Sequence, residues 1–310
     1  MSLPDSYLDY PRRRYGMDHE RYDWSRLSER APVTWPHGGK LALWVNVALQ
    51  FFPLDQRGKP FKVPGGMTMP YPDLRHFTLR DYGNRVGIYR VLAALDARGI
   101  RPSVAINSQL VLRYPALLDQ VLARNCELLC HGWNMDTLHY GGMAADEEEA
   151  QIVRALDTLR ERSGQAVEGW LSPARSESDN TPDLLARHGV RWFCDWVNDD
   201  MPYRFRTRHG ELWAMPLANE LEDQFILVNN GHSEDSYREQ VQDAGELLLA
   251  ETASQGGRIL ALNIHPWLLG QPHRIAYLER ALDHLLALDG VFSATPSDLL
   301  PHCAAVYPQA

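Results

Sequence analysis

The chain has 310 residues, 45% hydrophobic and 23% charged, with a formal net charge of −9. That composition belongs to an ordinary globular protein with ample core material, and its acidity argues against nucleic acid, whose phosphates demand clustered Lys and Arg. No apolar run is long enough to span a bilayer, and MSLPDSYLDYPRRRYG lacks the apolar segment of a secretory signal, so no membrane partner and a cytoplasmic location are expected.

The first forty residues are rich in Pro, Tyr, Arg and Asp and have no apolar period. Arg12-Arg13-Arg14 lies among tyrosines and acids and reads as surface ion pairing. The aromatics Tyr7, Tyr10, Tyr15, Tyr22, Trp24 and Trp35 predict an ordered arm over 1–40, packed on the body or on a neighbouring subunit of a homo-oligomer. KLALWVNVAL (40–49) is the first buried strand, apolar and β-branched. Residues 53–80 carry five prolines and three glycines with no period, which predicts a long loop of the kind that usually serves function.

Strands and helices then alternate. A helix over 82–98 buries Ile88, Leu92 and Leu95 and ends at Gly99; SVAIN (103–107) is a strand, a helix follows Pro115, and ELLCH (127–131) is a strand. The acidic DEEE opens a helix at 146, where negative charge suits the N-terminal end of the dipole, with Ile152, Leu156 and Leu159 facing inward. VEGWL, RWFCD and ELWAMP are candidate strands, and TPDLLARHG is a helix capped by Thr181 with Pro182 in its first turn. A long helix after His232 aligns Tyr237, Val241, Ala244 and Leu248. RILALNIH (258–265) is the strongest buried strand, and Ile275, Leu278, Leu282 and Leu285 stripe a further helix. Cys126, Cys130, Cys194 and Cys303 are too few and too scattered for a disulfide framework and read as core thiols. Unbroken alternation without a linker predicts one α/β domain over 41–310: a parallel sheet curling into a barrel, with its site at the C-terminal strand ends.

Asn46, Gln50, Asn107, His131, Arg175, Glu177, Asp195 and His265 fall at or just beyond those ends. Histidine, arginine, aspartate and histidine at four strand ends suit hydrolysis. His131 gains weight over a hydrogen-bonded core histidine from Asp136 and His139 nearby, although His139 serves equally well as a loop cap. Arg175 offers a planar fork to an amide or carboxylate, or simply pairs with Glu177 or Asp179. Asp195 sits near Asp199 and Asp200, as a solvated turn also would. Pro266 forces an extended exit from the last strong strand and aims His265 outward. His232 and His273 are weaker loop candidates, and Trp133, Trp196 and Trp267 either wall the pocket or fill ordinary core.

CELLCHGW, GWLSPARSES, CDWVNDDMPY and LALNIHPWLLGQPHR, in this order after KLALWVNVAL, resemble the polysaccharide deacetylase (NodB-homology, carbohydrate esterase family four) superfamily, most closely its metal-independent, allantoinase-like branch. The resemblance implies a distorted (β/α)7 barrel with Arg175 and His265 as retained site residues. It also shows departures. Where deacetylases place paired aspartates at the first strand end, one a base and one a metal ligand, this chain has VNVALQFF; where they place a second histidine four residues after the first, it has Met135. The implied activity is hydrolysis of a non-peptide carbon–nitrogen bond in a small cyclic amide or ureide. The alternatives are de-N-acetylation of a carbohydrate or other N-acyl compound, or a non-catalytic small-molecule-binding protein on the same fold. His131, Asp136, Arg175 and His265 are the expected catalytic residues; Asn46, Gln50, Trp133, His139, Glu177, Asp195, Trp196, His232 and Trp267 are the expected substrate contacts. No cofactor is expected; zinc is not excluded, with His131 and His139 as its first candidates.

Overall fold

The computed structural model describes residues 19–56 and 72–307. Tyr7, Tyr10, Tyr15, the arginine run and the middle of the proline-rich segment therefore lie outside the described residues.

One sheet runs through the molecule. Its strands are β1 (Leu41–Leu49), β2 (Ser103–Ile106), β3 (Glu127–Cys130), β4 (Gly169–Trp170), β5 (Trp192–Phe193), β6 (Tyr203–Thr207), β7 (Gly210–Ala214), β8 (Arg258–Ile264) and β9 (Val291–Ser293). The order is β6-β7-β5-β4-β3-β2-β1-β8, with β9 also on β1. Every pairing is parallel except the β6–β7 hairpin. The seven principal parallel strands form the curled, distorted (β/α)7 sheet of the NodB type. Among the described residues no strand pairing joins β8 to the β6–β7 edge, and side chains bridge part of that gap: Asn263 of β8 donates to Glu222, and His265, just past β8, to Asp223.

Alternation along β1 and β8 sets inside from outside. Leu41, Leu43, Val45, Val47 and Leu49, with Leu260, Leu262 and Ile264, join the large core beneath the helices. Ala42, Trp44, Ile259 and Ala261 belong to a second core, which also holds Trp35, Trp192 and Trp213. On that same face lie Asn46 and Asn263, which oppose each other in register.

The helices are α1 (Leu74–Tyr82), α2 (Ile88–Asp96), α3 (Ser108–Arg113), α4 (Pro115–Leu122), α5 (Ala145–Ser163), α6 (Thr181–Arg187), α7 (Glu234–Gln255), α8 (Ile275–Ala287) and α9 (Pro296–Val306). The stripes read from sequence are buried where expected: Ile88, Leu92 and Leu95 on α2, Ile152, Leu156 and Leu159 on α5, and Leu278, Leu282 and Leu285 on α8. The four cysteines are free and buried. Three readings change. The loop expected to reach residue 80 stops at Asp73, whose carboxylate accepts from His76 N and starts α1 eight residues before the expected helix. Thr181 is the first residue of α6 rather than its cap; its hydroxyl is taken up by Ser178 N and Glu148. The hairpin strand β6 was not foreseen, because YRFRT alternates partly exposed residues around one buried Phe205.

Between α1 and α2 lies one π-turn, Gly83–Gly87. Its glycines let the chain leaving β8 press against the helix: a Cβ on Gly83 would sit 2.7 Å from Trp267 N, and one on Gly87 2.0 Å from Pro266 O. The described part of the arm, 19–40, packs on its own chain. Tyr22 makes edge-on ring contacts with Trp196 and Tyr203, Val33 bridges to Gly256, and Trp35 donates to Arg258 O. No helix among the described residues is long and apolar enough to cross a membrane.

Candidate active site

A cavity of about 180 Å³ opens at the C-terminal strand ends. It gathers Gln50, His131, Arg175 and His265 from four different strand ends, as the barrel rule requires.

His131 follows β3. Its backbone carbonyl accepts from Asn107, and its Nδ1 lies 2.7 Å from Leu171 O, an acceptor only, so Nδ1 carries the proton. Nε2 then accepts from the Gln50 amide at 3.3 Å. Burial first, helped by the nearby His265 and Arg175, lowers this imidazole to about 4 against the pull of the Leu171 carbonyl, so it is neutral at pH 7. The unfolded histidine takes up a proton below about 6.5 and the folded one does not, so the native state loses stability as pH falls from about 6.5 to 4, by on the order of 3 kcal/mol. His131→Asn is expected to flatten that acid loss when urea midpoints at pH 7 and pH 4.5 are compared. An unchanged acid sensitivity in the variant would refute the assignment.

Arg175 stands on a strained turn. Ala174 and Arg175 are consecutive non-glycine residues at φ 54° and 52°, a region costing on the order of 1 kcal/mol or more per residue. The turn is held on three sides: Ser172 N donates to Asp195 Oδ1 at 2.8 Å, Arg175 donates to Cys194 O at 3.0 Å, and Pro173 fills the space a Cβ on Gly132 would take. Arg175 does not pair with Glu177 or Asp179; its nearest carboxylate is Glu222, at 3.9 Å.

His265 follows β8 and is 2% exposed. Asp223, fully buried, accepts from both His265 N (2.8 Å) and Nδ1 (2.6 Å), which fixes the ring and sends Nε2 towards Glu222 Oε1, 3.6 Å away. Burial opposes charge on this imidazole, but the charge and hydrogen bond of Asp223, aided by Glu222, outweigh it and raise its pKa above the ordinary histidine value. Glu222, Asp223, Asn219, Gln224 and Asn229 all leave the segment after β7, which the sequence reading passed over. The signal was available: ELWAMP was read as a strand, and the rule that its exit loop faces the site applied there too.

The remaining expected contacts lie elsewhere. Asn46 is fully buried beneath the cavity, hydrogen-bonded to Asn263 and Ser103. Asp136 and Trp133 do not line the cavity, and Arg154 stacks on the Trp133 ring. His139 is buried against Glu148 and the edge of Trp170. Glu148 also accepts from Ser178 and Thr181, so this cluster ties the loop after β3 to the loop after β4. Glu177 and Asp195 form a neighbouring buried carboxyl pair, with Trp196 Nε1 donating to Glu177 at 2.7 Å. Burial and then the charge of Asp195 push Glu177 well above the usual carboxylate range, and burial also raises Asp195. His232 is exposed and contacts Gln240. Trp267 is buried beneath the Arg80 guanidinium.

Among the described residues, the donor set for the divalent metal that the superfamily resemblance implies is incomplete. The first-strand and second-histidine positions hold Asn46, Gln50 and Met135, and His131 and His139 face different surroundings. Among the described residues no three His, Cys, Asp or Glu side chains converge to hold an ion.

Residues 79–193 match the polysaccharide deacetylase family. The fold is shared with solved structures of the polysaccharide deacetylase type, and the family match covers this central segment. Over nearly its full length it is similar to particular proteins. A Schizosaccharomyces pombe protein named after the polysaccharide deacetylases is 22% identical over 92% of each chain. The crystal structure of Puue allantoinase superposes with a TM-score of 0.81 at 22% identity, covering 93% of this chain and all of the other. A polysaccharide deacetylase-type protein of Pseudomonas aeruginosa PAO1 gives 0.78 at 21% identity, covering 97% of this chain and all of the other.

Proposed function

We propose that the protein hydrolyses a non-peptide carbon–nitrogen bond in a small cyclic amide or ureide. One observation carries this reading: five carboxamides, Gln50, Asn219, Gln224, Asn229 and Asn263, line a cavity of about 180 Å³ with Arg175 and two histidines. A carboxamide presents a donor and an acceptor in one plane, the complement of an amide or ureide edge. The cavity is below the size that takes drug-sized ligands, which suits a single ring. Phe52 and Phe225 supply its aromatic wall, while Trp133, Trp196 and Trp267 stay outside.

In this reading Arg175 holds the carbonyl oxygen as it becomes negative, and its strained turn keeps the guanidinium in place before substrate arrives. His265, charged and oriented by Asp223, protonates the leaving nitrogen. Neutral His131 accepts a hydrogen bond within the cavity.

The test is turnover by purified protein of allantoin, succinimide and N-acetylated sugars, assayed with and without a chelator. Ring opening of a cyclic substrate, with most activity kept in chelator, is expected. Turnover of N-acetylated sugars alone would establish the deacetylase alternative, and activity abolished by chelation and restored by zinc would overturn the reading of the donor set. An inactive protein that still binds the ring compounds would be a binding protein on this fold.

A further inference from the structure

The proposed reaction needs a base to activate water, and the carboxylate that the first strand end supplies in deacetylases is missing here. Asp136, the sequence-level candidate, does not line the cavity. Among the described residues, Glu222 is the only carboxylate that does. We infer that Glu222 is the catalytic base, delivered from the loop after β7 in place of the first strand.

The hydrogen-bond polarity inside the barrel supports this independently. Trp44 Nε1, a donor only, donates to Ser103 Oγ at 2.7 Å, and Ser103 must then give its own proton onward, to Asn46 Oδ1 at 2.9 Å. That orients the Asn46 amide, whose Nδ2 donates to Asn263 Oδ1 at 2.7 Å. Asn263 Nδ2 in turn donates to Glu222 Oε1 at 2.5 Å. Starting from an indole that can only donate, every link has one direction, and the chain ends by requiring an acceptor at Glu222. Its Oε1 is thereby fixed as an acceptor, with His265 Nε2 3.6 Å from that oxygen and Arg175 3.9 Å from Oε2.

The step balances. Glu222 takes a proton from water as the water oxygen bonds to the carbonyl carbon, and the π pair moves to the oxygen facing Arg175. As that oxygen re-forms its double bond, the carbon–nitrogen bond breaks; its electron pair stays on nitrogen, which takes a proton from His265. The new carboxylic acid ionises to solvent, and the proton on Glu222 passes to neutral His265, restoring both groups.

This assignment rests on the cyclic-amide reading, and Glu222→Gln separates the two. Glutamine still offers an oxygen to Asn263, so an anchoring role alone would survive, whereas base function would not. Wild type is assayed first on allantoin and succinimide; if neither is opened, the substrate reading fails and this assignment falls with it. Given an active wild type, Glu222→Gln is expected to lower kcat at least about a hundredfold with KM within a few-fold, the range for loss of a general base. A smaller loss overturns the assignment. Should that variant fold poorly, Glu222→Ala supplies the second readout: added formate is expected to restore turnover in a concentration-dependent way, and absence of rescue in the folded variant overturns it.

Discussion

His265→Ala is expected to lower turnover by about a hundred- to ten-thousand-fold, the usual range when a general acid is lost. An amide nitrogen leaves only once protonated, and His265 is the one cavity residue whose pKa lies above its ordinary value and whose ring is fixed by a buried carboxylate. The fold is not indifferent to this change. Removing the imidazole leaves fully buried Asp223 with the residue 265 N–H as its one remaining donor from this pair, so the thermal midpoint should also fall. Adding Asp223→Asn should recover much of the midpoint and none of the turnover. The pH dependence has a definite sign. His265 is charged below its raised pKa, so kcat should decline as pH rises through a value above 6.5. The ion pair's contribution to stability is likewise fully present below about 6.5 and lost as pH rises through the folded pKa. Near-normal turnover in His265→Ala would make the residue structural and move the acid role to His131.

Gly87→Ala should be nearly as damaging although the residue carries no chemistry. Its Cβ would lie 2.0 Å from Pro266 O and 2.8 Å from Pro266 C, and these are backbone atoms that cannot rotate aside. Gly270 closes the other side of the same contact, its own Cβ direction ending 2.3 Å from Pro266 O. Overpacking typically costs about 1–3 kcal/mol, and a clash with backbone belongs at the upper end. For a chain of this length, with an unfolding entropy of about 0.65 kcal/mol/K, that is a fall of roughly 4–5 °C in Tm. Pro266 follows His265 directly, so any relief of the clash moves the acid relative to Arg175 and Glu222. A misplacement of about 1 Å can cost about a hundredfold in rate. Thermal unfolding and turnover measured on one preparation check both parts; a variant with wild-type Tm would show that the π-turn has room to spare.

The sequence determined this protein's architecture because its signals are local. Eight apolar residues among the nine of β1, the largely apolar run of β8, and the stripes of α2, α5 and α8 can be read without knowing what they pack against. The ends of those strands then pointed to Gln50, His131, Arg175 and His265, which share one cavity. Other assignments needed the third dimension. Asp136 and His139 are close to His131 in sequence, yet the turn after β3 leaves Asp136 off the cavity and carries His139 to Glu148. Asn46 looked like a substrate contact; inward alternation and its register with Asn263 make it a buried relay instead. Glu222 and Asp223 show the converse. The strand ELWAMP points to its exit loop but not to these two residues within it, because their importance comes from β8 standing beside that loop, with no strand pairing between them among the described residues. Only that juxtaposition places one carboxylate behind His265 and the other in front of it.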